Sequence, residues 1–220
     1  MPSLQENPAR KRRCFHTLLN TNPEIHLSHV VGVLAVQGAF IEHEQRLEVL
    51  RAQYVELRQA SDLEKPFDRL VFPGGESTAQ AKMLHELGMF ETLRARITAG
   101  MPVLATCAGL ILLAEKLEND PTVHFGTLPV SVRRNAYGRQ LGSFHAEGAL
   151  LNEAGVAENT PIPTTFIRAP RIVEIRDSVQ PLVTLSDGTV AAVRYGNQLA
   201  CAFHPELDPD PRIHELFLDL

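Results

Sequence analysis

The sequence has no tryptophan, only three tyrosines and four methionines, and three cysteines in 220 residues. The cysteines, Cys14, Cys107 and Cys201, are too few and too scattered for a disulfide framework, and they lack the short paired spacings of a zinc site. That pattern points to a reducing, cytoplasmic setting with no metal. A run of ~18 apolar residues, the minimum for a membrane-spanning helix, is also missing, and no apolar segment of signal-peptide length follows the basic N-terminal run. The expected protein neither crosses a membrane nor is secreted. Positive charge is in deficit as well: 21 Lys and Arg stand against 26 Asp and Glu, a net charge of −5. A nucleic-acid surface needs a basic excess to neutralise phosphates, so nucleic acid is not an expected partner and the ligand is expected to be small.

What is present suits one sizeable core, because 44% of the residues are hydrophobic and a domain usually takes roughly 100–200 residues. Residues 1–29 hold the basic run Arg10, Lys11, Arg12 and Arg13 and two Asn-Pro dipeptides, with no apolar period. They read as a disordered tail or as non-native sequence upstream of a start at Leu27, Val30 or Val31. Residues 30–220 read as the folded domain.

The texture changes at Val30, where an apolar run rich in β-branched residues extends to Val36, as a strand covered on both faces requires. A helix is expected over Phe40 to Arg51, then strands at Tyr54 to Leu57, Arg69 to Phe72 and Val103 to Ala105, and a helix over Leu110 to Leu117. Strands alternating with helices point to a doubly wound α/β sheet. Further on, strands are expected at Val130 to Val132, Ile172 to Ile175, Leu182 to Leu185, Val190 to Tyr195 and Leu199 to Phe203. Asp187-Gly188 and Gly196-Asn197 supply hairpin turns between the last three, so antiparallel strands should extend the sheet. A short helix within Pro209 to Leu220 closes the chain.

Three motifs carry chemistry. Cys107 lies in Ala105-Thr106-Cys107-Ala108-Gly109, a small-residue turn from apolar strand to apolar helix, which is the geometry of a nucleophile elbow. The unpaired N–H groups of the following helix favour a thiolate and offer donors to an oxyanion. By itself a cysteine among small apolar residues is more often packing than catalysis. A base is available in Phe203-His204-Pro205-Glu206, where His204 leaves a strand end and Glu206 follows two residues later, near enough to orient the imidazole. The third motif is Pro73-Gly74-Gly75-Glu76-Ser77-Thr78, a strand-to-helix turn whose glycines admit a ligand and whose Ser77 and Thr78 can cap the helix. His43, His85, His124, His145 and His214 lack paired metal-ligand spacing and read mostly as surface residues, and Cys201 reads as strand core.

Taken in order, these residues resemble the class I glutamine amidotransferases, and more narrowly the glutaminase subunit of pyridoxal 5′-phosphate synthase. The likeness runs from about Val30 to the C-terminus. It rests on Gly32 to Ala39, Pro73 to Thr78, Thr106 to Leu110, Arg134 to Gln140, Phe166 to Pro170 and Phe203 to Leu207. The resemblance implies a three-layer α/β sandwich around a mostly parallel sheet with added antiparallel strands. It implies Cys107 as nucleophile, His204 as general base and acid, and Glu206 as its orienter, with Gly75, Glu76, Ser77, Arg134, Ile167 and Arg168 around L-glutamine. Gln37 and Ala108 would lie near the oxyanion site or the partner side. It further implies no cofactor, and a synthase partner in a large hetero-oligomer that takes the ammonia. Ala105, where glycine is usual, His145, where glutamate is usual, and the N-terminal tail are departures from the family pattern. A positive φ at Ala105 would be strained, and His145 changes charge near a segment that can touch ligand or partner. Two other readings compete: a glutaminase for another synthase, against which Phe166 to Pro170 weighs, and a non-catalytic module of the same fold, against which the intact triad weighs.

Overall fold

The computed structural model describes residues 29–118, 120–136, 142–152, 157 and 160–220. The tail expected over residues 1–29 lies outside these apart from His29, whose Nδ1 is 2.6 Å from Asp68 Oδ2. Part of the Arg134 to Gln140 segment, residues 137–140, lies outside them too.

A nine-stranded sheet forms the centre. Its first half is parallel and comes from the apolar runs of the N-terminal part: β1 (Val30–Leu34) lies between β2 (Gln53–Leu57) and β3 (Arg69–Phe72), and β4 (Val103–Thr106) follows β3. Each of β1, β3 and β4 is almost wholly buried, which is why their sequences are continuous apolar runs with no polar alternation. The fifth parallel strand arrives from the other end of the chain. β12 (Gln198–Cys201) pairs with β4, placing Cys201 against Thr106.

Beyond β12 the pairing turns antiparallel through β11 (Val190–Tyr195), β10 (Gln180–Leu185), β7 (Ser143–Leu150) and β8 (Ile162–Ile167). The hairpins at Gly188 and Gly196 form where Asp-Gly and Gly-Asn predict them, with φ of 82° and 54°. A separate three-stranded sheet joins β5 (Ala114–Leu117), β6 (Leu128–Arg133) and β9 (Arg171–Ile175). Two strands expected to extend the main sheet, β6 and β9, belong to this second sheet instead. The helix expected over Leu110 to Leu117 is also shorter than its apolar run suggests. It ends at Leu113, and Ala114 turns extended to pair with Leu128. An apolar run of this length suits helix and strand equally, and the tertiary pairing decides.

Helices cover the sheet in two groups. One comprises α2 (Ser77–Glu86), α3 (Phe90–Thr98) and α4 (Ala108–Leu113), which contact one another and strands β3, β4 and β12. Phe90 stacks on Phe125 at 4.4 Å and Phe125 meets Phe72 at 5.2 Å, tying this group to β3. The other comprises α1 (Phe40–Val49), packed on β1 and β2, and α5 (Arg212–Leu218), packed on β4. Gly109 seats α4 against the sheet: a Cβ there would stand 2.4 Å from the Phe72 carbonyl oxygen, so any larger residue must lift the helix. Among the described residues no helix is long and apolar enough to cross a membrane.

The loops that follow β1, β3, β4 and β12 leave the carboxyl ends of adjacent parallel strands. In an open α/β sheet this edge is where ligands bind, at the point where strand order reverses, here between β1 and β3.

Candidate active site

Cys107 follows β4 directly and is the turn residue before α4, with φ 48° and ψ −96°. The left-handed backbone belongs to Cys107 and not to Ala105, which is fully buried within β4 and pairs with Phe72 and Ala200. The turn is held by Cys107 N–H donating to the Cys201 carbonyl at 2.8 Å. This sharp reversal lifts the thiol off the sheet edge, and Cys107 Sγ lies 4.0 Å from the Ile167 carbonyl oxygen.

His204 enters from the loop after β12, anchored by its own N–H donating to the Thr165 carbonyl at 2.8 Å. Its Nδ1 lies 2.7 Å from Glu206 Oε1, and Glu206 is positioned by a single 3-10 turn at Pro205–Leu207. Both side chains are nearly inaccessible to water. Burial pushes the His204 imidazole down, but hydrogen bonds to Cys107 and Glu206, with their charges, outweigh it and hold the group up at about 10. Glu206 shows the reverse balance. Burial pushes its carboxyl up, and the attraction of His43 and the bond and charge of His204 hold it below the ordinary carboxylate value. The arrangement is therefore an imidazolium fixed between a carboxylate and a sulfur. Gly74 makes room for it, since a Cβ at that position would stand 2.3 Å from His204 Cε1.

These groups open on a cavity of about 270 Å³. Drug-sized ligands occupy pockets of roughly 300–1,000 Å³, so this one suits a molecule of amino-acid size. Gly75, Glu76, Ser77, Arg134, Ile167 and Arg168, all expected around the ligand, line it together with Cys107 and His204. Of the expected residues Glu206, Gln37 and Ala108 do not line it. Glu206 lies behind His204, and Gln37 Oε1 accepts from the Glu76 N–H at 2.9 Å, bracing the Gly75 turn. Ala108 is buried as the first residue of α4, and an N–H at that position has no acceptor within its helix.

At the mouth, Glu76 caps α2 by accepting from Thr78 N at 3.0 Å and Ala79 N at 2.7 Å. The cap expected from Ser77 and Thr78 is therefore replaced: a carboxylate one residue earlier reaches two N–H groups at once. Ser77 Oγ is left buried without a hydrogen-bond partner among the described residues, beside the cavity. Arg134, just past β6, donates to Glu76 Oε1 and to Thr78 Oγ1, each at 3.1 Å. Burial pushes the Glu76 carboxyl up, while the two N–H donors, the Thr78 hydroxyl and Arg134 together hold it below its ordinary value. Three of the four described non-glycine residues with positive φ, namely Cys107, Asn135 and Arg168, line this cavity. Such backbone persists only where the surroundings over-determine it, which marks the site as built.

The histidines read as surface residues divide. His85 and His145 are exposed and His124 is half-buried, but His43 and His214 are fully buried and hydrogen-bonded to each other at 3.0 Å. His145 Nδ1 lies 2.8 Å from Thr165 Oγ1, which donates to Asp208 at 2.7 Å, so its contacts are with β8 and the loop beyond Glu206. Helical spacing holds the signal for the buried pair. His43 lies three residues after Phe40 and four before Leu47, on the apolar stripe of α1, and His214 lies next to Ile213 and three before Phe217.

Comparison with known proteins bears on the same residues. The model of the SNO glutamine amidotransferase family matches residues 33–220. A protein of Desulfitobacterium hafniense called pyridoxal 5′-phosphate synthase subunit PdxT is 54% identical over 86% of this chain and 92% of its own length. One of the same name from Bifidobacterium longum is 52% identical over 87% of this chain and all of its own length. A crystal structure described as a glutamine amidotransferase superposes with a TM-score of 0.77 at 39% identity, covering 86% of this chain and 97% of that one. The structure of PurLQS from Thermotoga maritima, at 19% identity and a TM-score of 0.61, shares the fold.

Proposed function

The chain belongs to the SNO glutamine amidotransferase family, and on that premise we propose that it is the glutaminase subunit of a pyridoxal 5′-phosphate synthase, hydrolysing L-glutamine to L-glutamate and ammonia with Cys107, His204 and Glu206. The observation that carries the reading is the placement of Cys107 and His204 on neighbouring parallel strand ends, facing a small cavity with one carboxylate and two guanidinium groups, with Glu206 behind His204.

Glutamine presents an α-ammonium and an α-carboxylate, and Glu76 with Arg134 and Arg168 supplies the complementary charges. Bound this way, the side-chain amide reaches Cys107. The sulfur attacks the amide carbon, and the oxyanion that forms takes the free N–H of Ala108 and the Gly75 turn braced by Gln37. His204 gives its proton to the departing nitrogen, so ammonia leaves and a γ-glutamyl thioester remains. Neutral His204 then takes a proton from water as that water attacks the thioester, glutamate is released, and the sulfur and the imidazolium are restored. Glu206 keeps Nδ1 of the ring protonated throughout, so that Nε2 performs both transfers. The ammonia passes to the synthase subunit, which builds it into pyridoxal 5′-phosphate from a pentose phosphate and a triose phosphate. The two subunits form a hetero-oligomer.

The test is glutamate release by the purified chain, with and without a pyridoxal 5′-phosphate synthase subunit. Release should rise with the partner and fall by at least about 10³-fold in Cys107→Ala. Absence of release under both conditions sinks the reading, and release indifferent to the partner points to another synthase.

A further inference from the structure

Side chains that the triad does not use close the space behind Glu206. His43 of α1 and His214 of α5 are both fully buried, and their rings meet at Nδ1 and Nε2, 3.0 Å apart. His43 Nε2 lies 3.4 Å from Glu206 Oε2 and 3.2 Å from the hydroxyl of Thr106, the residue before the nucleophile. Oε1 of Glu206 is engaged by His204, while Oε2 is buried without a hydrogen bond among the described residues, so His43 Nε2 faces it at 3.4 Å as a charge–dipole contact and makes its hydrogen bond to Thr106. Hydrogen bonds between catalytic groups commonly tighten in the substrate complex.

The hydrogens follow by elimination. A carboxylate only accepts, so a lone pair of His43 aimed at Oε2 would repel it, and Nε2 must carry the hydrogen. A neutral imidazole has a single N–H, which makes Nδ1 of His43 an acceptor and Nε2 of His214 its donor. Nδ1 of His214 is then bare, and it is the ring nitrogen that lies buried without a partner among the described residues. Both rings stay neutral in this scheme. Burial pushes each imidazole down, His214 to about 3. The result is a file of aligned N–H dipoles that stabilises the Glu206 charge without adding a second cation to compete with His204.

We propose that His43 is a positioning residue of the glutaminase, its Nε2–H holding the outer oxygen of Glu206 so that the inner oxygen stays on His204, with His214 fixing the tautomer that allows it. This rests on the triad reading above and extends it. The other titratable or charged groups that act on Glu206 or on the histidines touching it are Glu42 and Arg46 of α1, Cys201 of β12, Cys107 and His204. Arg46 donates to the Glu206 backbone carbonyl at 3.0 Å and leaves the carboxylate to the histidines. Without His43, Oε2 loses the N–H dipole that faces it at 3.4 Å in a dry interior, the carboxyl shifts toward its neutral form, and a neutral carboxyl no longer holds the His204 proton. Activity must then be lost at a higher pH on the acid side.

The experiment measures kcat and KM for glutamine against pH, for the full chain with its synthase partner. In His43→Leu, kcat at neutral pH should fall about 30-fold with KM within about twofold, and the acid limb should rise by about one pH unit. His43→Asn, which keeps an N–H donor, should recover most of the rate and return the limb. His214→Phe should move the limb part of the way. An unmoved limb in His43→Leu, or Asn no better than Leu, overturns the proposal, and if His43→Leu does not fold, an unmoved limb in His214→Phe does so. Alkylation of Cys107 by iodoacetamide across the same pH range reads the same shift without turnover. Should the wild-type chain release no glutamate, the glutaminase reading fails, while the alkylation limb still decides for or against the His43 contact.

Discussion

The two sides of the cavity are held by different physics. At the mouth, Glu76 and Arg134 pair at 3.1 Å with side chains 51% and 32% exposed, and Asp120 lies 3.6 Å from the same guanidinium. Exposed pairs of this kind contribute ~0–1 kcal/mol, so on the proposed function they would exchange partners readily for a zwitterionic amino acid. Behind His204, the side chains of Glu206 and His43 are fully buried and exchange nothing. There a missing partner is not replaced by water, and the cost is that of an uncompensated group in a dry interior. On the proposed function, the mouth should therefore govern how tightly substrate is held, and the back how fast it reacts.

The largest test of that division is Glu206→Gln. An amide of the same shape cannot balance the imidazolium, so kcat should fall by about 10³-fold while KM changes less than about threefold. Steady-state kinetics on folded protein decides it, and a loss confined to KM would break the comparison. A smaller effect of the opposite kind is expected from Arg134→Gln, where KM for glutamine should rise about tenfold, ~1.4 kcal/mol, with kcat nearly kept. A loss mainly in kcat would place Arg134 with the chemistry instead. The smallest effect concerns the buried imidazoles through folding. His214 titrates near 3 in the native protein and near its ordinary 6.5 unfolded. Its stabilising contribution is thus complete above about 6.5 and declines as pH falls toward 3, by up to ~1.4 kcal/mol per unit. Urea unfolding at pH 7.5 and 5.5 should show His214→Phe losing about 1 kcal/mol less than wild type between the two conditions. Equal losses would mean that His214 is not kept neutral.

The same two sides differ in how they announce themselves in the amino-acid order. Strands β1, β3, β4, β11 and β12 are short apolar runs bounded by turn residues, and Cys107, His204 and the Gly-Gly turn stand at their ends, so the working edge of the sheet is readable from local pattern. Strands β7 and β8 are not among the expected ones. β7 carries Ser143, His145 and Glu147 on an exposed face with Gly148 inside it, and β8 contains Pro163, features that argue locally against a strand. Pairing between them, from Ser143–Ile167 to Gly148–Ile162, overrides that tendency. The buried histidines escape for a related reason. His43 is flanked by Glu42 and Glu44 in the chain, yet its partners Thr106, Glu206 and His214 come from three distant segments that only the folded sheet assembles. The cap by Glu76 is hidden by two better-known capping residues directly after it.

The backbone of Cys107 carries one more consequence. A non-glycine residue at φ 48° and ψ −96° is strained by ~1–3 kcal/mol, and among the positive-φ residues that line the cavity it is the one proposed as the nucleophile. On that assignment, conformational comfort and reactivity are opposed at Cys107. A chain with glycine at 107 would escape the penalty and give up the proposed nucleophile in the same step, gaining stability at the expense of turnover. Durability has to be gained elsewhere, in surface loops and exposed helix faces, if turnover is to survive it.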